Sequence, residues 1–134
     1  MNKILNDIFN NIKIKKIKLD ERIKQLSYCN NDIKFFYSND ITEIKNEIID
    51  LEAQIIYYRN LNDSNTIDLH GSTRYFVMTY LEDLLIYKMN YYNKVSIITG
   101  KGTFVIFNAV KKYLTNNNYN FTINNYIFIV DIQW

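Results

Sequence analysis

The apolar positions of this chain change period near residue 60, and that change divides it in two. From Leu5 to Ile33, apolar residues recur at Leu5, Phe9, Ile12, Leu19, Ile23, Leu26 and Ile33, spaced by threes, fours and sevens, with Lys16 and Asn30 interrupting the seam. This spacing predicts a helix with a coiled-coil-like stripe. A second stripe, Ile41, Ile44, Ile48, Leu51, Ile55 and Tyr58, keeps the same alternation. It is expected to start at Asp40, with Glu43 closing a capping box and Ser38-Asn39-Asp40 forming the turn.

Beyond the polar stretch Asn60-Leu61-Asn62-Asp63-Ser64-Asn65, the pattern alternates between strand-like runs and amphipathic helices. Thr66 to Leu69 reads as a short buried strand ending at Gly71. Ser72 is placed to cap a helix whose apolar face is Phe76, Val77, Tyr80, Leu81, Leu84 and Met89. Val95 to Thr99 repeats the strand, and a second helix follows with Val105, Ile106, Ala109, Val110, Tyr113 and Leu114. Two strand-turn-helix units in succession predict a parallel pair of strands. Tyr119 to Ile123 and the strongly apolar Tyr126 to Ile132 read as two further strands about an Asn124-Asn125 turn, the last strand being central. The expected fold is α/β: a two-layer β-α-β-α-β-β domain with a four-stranded mixed sheet over residues 61–134. A helical hairpin or coiled coil over residues 1–60 precedes it.

Charge changes the picture of the first part. Residues 1–26 hold seven Lys or Arg against three acids, and residues 40–59 hold five acids against two bases, so the helices carry opposite net charge. Antiparallel pairing satisfies both and is favoured; one long helix dimerising in parallel is the alternative. The Lys13-Ile14-Lys15-Lys16-Ile17-Lys18 run is read first as a solvated face toward the acidic helix and second as a phosphate contact. The whole chain, 134 residues with a formal charge of +2, has too small a basic excess to identify a nucleic-acid binder by charge alone.

Composition mainly excludes. A single cysteine, Cys29, allows no internal disulfide and is read as a packed residue. No apolar run approaches the roughly 18 residues that span a bilayer, so no membrane partner is expected and a cytoplasmic location is the default. The surplus of Ile, Asn, Lys and Tyr reads as nucleotide bias, and the 12 tyrosines are taken as packing residues.

Two short segments carry candidate chemistry. In Ile67-Asp68-Leu69-His70-Gly71, Asp68 and His70 are two apart in extended chain and emerge on one face. There the carboxylate supports the charged imidazole of the only histidine, a candidate general acid or base. One His and one distant Cys do not make a zinc site. Thr99-Gly100-Lys101-Gly102-Thr103 sets two glycines and a lysine before a helix, where backbone N–H groups and a positive charge favour phosphate. It lacks the Gly-Lys-Ser/Thr order of a nucleotide P-loop. Ligands of open α/β sheets collect beyond the carboxyl ends of parallel strands, and both segments belong there.

Taken together, these two segments resemble the Smr (small MutS-related) domain, which pairs an L-D-L-H-G segment with an H/T-G-x-G segment on a fold similar to the C-terminal domain of translation initiation factor 3. The resemblance covers residues 66–134 and implies nucleic-acid binding and, in many members, endonucleolytic cleavage. It gives Asp68 and His70 the catalytic role and Thr99, Gly100, Lys101 and Gly102 the backbone-binding role; Thr103 joins that turn as a substrate-binding residue. RNA is expected before DNA as substrate. The ribosome, and a second copy or protein partner on residues 1–60, are further expected partners. A non-catalytic nucleic-acid- or ribosome-binding adaptor is the alternative function. No cofactor is implied, and dependence on a divalent metal is left open.

Overall fold

The computed structural model describes residues 2–28, 30–102 and 104–132. Cys29, expected to be packed, and Thr103, expected in the anion-binding turn, lie outside the described residues. The chain forms two compact units, residues 1–55 and 56–134.

The first unit is a helical hairpin. Helix α1 (Asn2–Ser27) is followed by α2 (Asn31–Arg59), whose last residues belong to the second unit. Lys15 with Glu47 and Arg22 with Asp40 at 2.5 Å mark the antiparallel sense, the higher position on α1 meeting the lower one on α2, and Lys16 with Glu52 at 3.9 Å adds a third ion pair. Pairs this exposed contribute only about 0–1 kcal/mol each, so they select register more than they stabilise.

The turn is not where Ser38-Asn39-Asp40 suggested. Asn30 caps α2, its side-chain oxygen accepting from the Ile33 N–H at 3.2 Å, and the helix runs unbroken through residues 38–40. The poor helix formers there are overridden by tertiary pairing, because the carboxylate expected to cap a helix is engaged by Arg22. The seam of α1 also differs. Leu5, Ile8, Ile12, Lys15, Leu19, Arg22 and Leu26 are its buried or half-buried positions, a strict three-four repeat, whereas Phe9 and Ile23 are exposed. Two cations occupy seam positions because their long apolar stems cover surface while their heads reach the acids of α2.

The second unit contains the last residues of α2, then β1 (Thr66–Asp68), α3 (Arg74–Met89), β2 (Lys94–Ile98), α4 (Val105–Asn116), β3 (Asn120–Asn124) and β4 (Ile127–Asp131). The sheet order is β1-β2-β4-β3, with β1 and β2 parallel and the other pairs antiparallel, so the apolar last strand is central as expected. Register aligns Ile67 with Ile97 and Ile97 with Phe128, and Val95 with Val130. All five are fully buried and form the sheet's contribution to the core, beneath Phe76, Val77, Leu81, Leu84 and Leu85 of α3 and Val110 and Leu114 of α4. Side chains one residue along, Ser96, Ile98, Ile127 and Ile129, stand on the opposite face and are half-buried.

Three local readings are corrected. Thr73, not Ser72, caps α3, its hydroxyl accepting from the Phe76 N–H at 3.2 Å. The β3–β4 turn is Asn125-Tyr126, since Asn124 pairs with Ile127, and Asn125 takes the positive φ of 57° that the tight reversal needs. On α3 the buried position near the end is Lys88 rather than Met89. Its Nζ donates to the Asn62 carbonyl and side-chain oxygen, both at 2.9 Å, and to the Ser64 carbonyl at 2.6 Å. Burial pushes the Lys88 ammonium below the usual lysine range, with Asp63 opposing the shift.

Tyr113 of α4 gives a pH prediction. Burial foremost, then the Tyr119 phenol and the Glu82 carboxylate, push its phenol far above the ordinary tyrosine value. A proton held more tightly folded than unfolded contributes stability that is fully present below about pH 10 and lost as pH rises further. Thermal melts from pH 8 to 11 are therefore expected to fall above about 10, and to fall less steeply in Tyr113→Phe. Equal slopes in the two proteins would remove Tyr113 as a source of that loss.

Candidate functional site

His70 and Gly71 occupy the centre of a β-turn that ends β1. The turn is closed by the Ser72 N–H donating to the Leu69 carbonyl at 2.9 Å, and Gly71 stands at φ 76°, the conformation that the third residue of a type II turn requires. This is the physical reason for glycine after the histidine. Leu69 is buried and its N–H donates to the Ile98 carbonyl at 2.8 Å, so the turn is anchored to β2 one residue before His70.

Asp68 and His70 both face solvent, with side chains 54% and 79% exposed. An Asp68 carboxylate oxygen stands 3.9 Å from His70 Nδ1, within ion-pair range but beyond a hydrogen bond. The same oxygen accepts from the His70 backbone N–H at 3.0 Å. The carboxylate therefore shapes the turn, and it makes no hydrogen bond to the imidazole ring.

The second segment reaches the same place from β2. Gly100 has φ 79°, and a Cβ built there would lie 3.2 Å from the His70 Cβ and 3.5 Å from its Cα. The two turns are thus in backbone-level contact. Thr99 is buried, its N–H and hydroxyl both donating to the Tyr126 carbonyl at 3.0 and 2.9 Å, so this residue fastens the turn to the β3–β4 connection. Lys101 and Gly102 are exposed. His70, Gly71, Gly100, Lys101, Gly102 and Phe104 share the wall of a shallow pocket of about 130 Å³.

Helix α4 starts at Val105, a little later than the turn itself. Its cap residue, Phe104, stands at φ 60° with no side-chain cap, a strained conformation for a bulky residue. Ring contacts at 6.0 Å to Phe107 and 6.1 Å to Tyr126 offset that strain. A helix start without a side-chain acceptor leaves its first N–H groups for water or an anion.

Asn60, part of the polar boundary in the sequence, is buried and holds strand β1. Its side chain donates to the Ile56 carbonyl at 2.8 Å and the Asp68 carbonyl at 3.1 Å, and accepts from the Asp68 N–H at 2.8 Å. An Asn amide reproduces the donor-acceptor pair of a peptide, so it acts as one rung of an extra strand beside β1. Nothing in the spacing of residues 60 to 68 announces this. Among the described residues, no group of three or more His, Cys, Asp or Glu is placed to hold a metal ion, and no helix is long and apolar enough to cross a membrane.

The contact between Gly100 and His70 gives a prediction with its own control. Gly100→Ala is expected to cost roughly 1–2 kcal/mol for the left-handed backbone, and more where the new methyl presses on His70. Gly102→Ala, with no atom within 4 Å of the added methyl, is expected to be near neutral. Thermal denaturation of the two variants separates them, and equal losses would count against the tight approach at Gly100.

Residues 67–124 match the family model described as the Smr domain. Smr domains are associated with nucleic-acid binding and, in some members, nuclease activity. The fold is similar to the solution structure of the B3BP Smr domain, with 26% sequence identity and a TM-score of 0.52, over 62% of this chain and 94% of that one. No curated protein matches the chain.

Proposed function

We propose, from the premise that residues 67–124 of this chain are an Smr domain, that the protein is a nucleic-acid-binding endonuclease acting on RNA in preference to DNA. The observation that carries the reading is the packing of Gly100 against His70, 3.2 Å between the glycine's virtual Cβ and the histidine's Cβ. His70 and the Gly100-Lys101-Gly102 turn line one pocket, which supports pairing proton transfer with phosphate binding there.

In this scheme, a phosphate settles against Gly100, Lys101 and Gly102, whose amides and ammonium offset charge developing on the phosphoryl oxygens. His70 takes the proton of the neighbouring 2′-hydroxyl as that oxygen bonds to phosphorus. The bond to the 5′ oxygen breaks, and that oxygen takes a proton from solvent water as it leaves. Asp68, 3.9 Å from Nδ1, stabilises the imidazolium. Thr99, which lines the same pocket, joins the Gly100-Lys101-Gly102 turn in holding the phosphate, and Asn60, outside the pocket lining, holds β1 at Asp68.

Incubation of the protein with labelled single-stranded RNA, duplex RNA and DNA, with and without chelator, tests the reading. Cleavage of RNA leaving a 2′,3′-cyclic phosphate is the expected result. Products ending in a 3′-hydroxyl would mean attack by water and would overturn the role given to the 2′-hydroxyl. Retention of every strand uncut would favour a second reading, a non-catalytic adaptor for nucleic acid or the ribosome. That reading draws on Tyr28, Phe35 and Phe36 near the hairpin turn, which are 89%, 67% and 71% exposed and offer an apolar surface to a partner or second copy.

A further inference from the structure

A second and larger cavity, about 500 Å³, lies between α3 and α4 and is not used by the scheme above. Val105 lines both this cavity and the pocket at His70, so the two are neighbours around the start of α4. On α4 the lining residues Val105, Asn108, Ala109, Lys112 and Asn116 form one stripe at helical spacing; on α3 the stripe is Arg74, Val77 and Met78. Both helices follow parallel strands, so both begin at the edge that carries the two turns.

The lining is cationic and amide-rich. Arg74 and Lys112 are exposed, and the lining contains no carboxylate; Glu82 and Asp83 reach it through Tyr113 at its margin. Arg74 is out of place by local rules. It is the first residue of α3, whose first turn holds no acid, and the helix dipole disfavours a cation there. A cation that weakens its own helix is explained if it serves an anion outside it. Val77, Met78, Val105 and Ala109 supply an apolar floor, and Asn108, Asn116 and Asn117 supply hydrogen-bonding edges. Cationic rim, apolar floor and amide groups together suit unpaired nucleotides. A slot of this size, in the range of about 300–1,000 Å³ typical of small-molecule sites, takes an unpaired nucleotide rather than a duplex.

We propose that the α3–α4 groove binds a single-stranded segment of the nucleic acid next to the bond held at His70, with Arg74 and Lys112 on its phosphates. The proposal rests on the nucleic-acid reading of the preceding section and adds to it the strandedness of the substrate and its path. Neither cation touches the reacting phosphate; both are positioning residues.

The test uses the full chain carrying His70→Ala, so that binding is read without turnover, and a labelled oligo(U) of about 12 nucleotides. Adding Arg74→Ala and Lys112→Ala is expected to weaken binding about tenfold near 0.15 M salt and to lower the slope of log affinity against log salt by about 1.4, at about 0.7 per phosphate contact on a single strand. The control is Lys94→Ala with Lys111→Ala, which removes the same charge from outside the groove and is expected to stay near the parent. If the parent binds and both pairs lose affinity alike, the groove is overturned while the nuclease reading stands. Tighter binding of a duplex than of oligo(U) overturns the single-strand assignment. A parent that binds no nucleic acid overturns both readings.

Discussion

His70→Ala is expected to lower RNA cleavage by roughly 10²–10⁴-fold, the range lost when a general acid or base is removed. The side chain is largely exposed and its Cβ lies beside Gly100, so truncation to Ala keeps that approach and is expected to leave the turn and the fold in place. Loss of activity would then come with an unchanged melting temperature. Undiminished cleavage by this variant, in a preparation free of contaminating nuclease, would falsify the assignment. The geometry also separates the two members of the pair. Asp68→Asn keeps an oxygen to accept the His70 backbone N–H and removes only the charge 3.9 Å from Nδ1. Between groups this exposed, such a charge is worth about 0.2–1 kcal/mol, so a loss of no more than about fivefold is expected. An Asp68→Asn defect as deep as that of His70→Ala would mean that the carboxylate meets the substrate or a metal directly.

Lys88→Met is expected to destabilise the second unit by about 2–4 kcal/mol, from hydrogen bonds to a charged group worth about 1.5–3 kcal/mol each, less what water restores to the exposed acceptors. Methionine fills the apolar length of the lysine but takes the ammonium donor away from the Asn62 and Ser64 carbonyls, while the Asn62 side-chain oxygen keeps the Ser64 N–H and hydroxyl. At about 4–8 °C per kcal/mol for a domain of this size, the melting temperature is expected to drop by roughly 10 °C or more. The released segment lies directly before β1, so activity should fall further than the melt alone implies. A Lys88→Met melt equal to the wild type would show that the loop is held by other contacts, the Tyr92 hydroxyl on the Asp63 carbonyl being the first to consider.

Reading the sequence went furthest where the physics is local. Short apolar runs in Lys94–Ile98 and Ile127–Asp131 mark buried strands, and the three-four spacing of α3 and α4 marks helices with one apolar face. The same spacing pointed to Lys88, which falls one turn after Leu84; chemistry argued for Met89, and the structure follows the spacing because the ammonium finds three oxygens. Where two local signals competed, the sequence misled. Ser38-Asn39-Asp40 carries the chemistry of a turn, but Arg22 engages Asp40 across the hairpin and Asn30 provides the cap instead. Asn60 had no signal at all, since its partner is a peptide unit eight residues away whose position depends on the finished sheet.

By itself the sequence determined the order of strands and helices, the opposite charges that pair α1 with α2, and the chemistry stored in Asp68, His70 and the Gly100-Lys101-Gly102 turn. Each is a property of neighbouring residues or of a repeating period. Only the tertiary structure decided that Gly100 lies against His70, that Asp68 accepts a hydrogen bond from a backbone N–H and stands 3.9 Å from the imidazole, and that Arg74 and Lys112 share a groove. Those outcomes depend on which residue of β1 lies opposite which residue of β2 and on how α3 settles against α4. Such registers are set by burial of Ile67, Ile97 and Phe128 together, a condition on the whole sheet that no single stretch of chain contains.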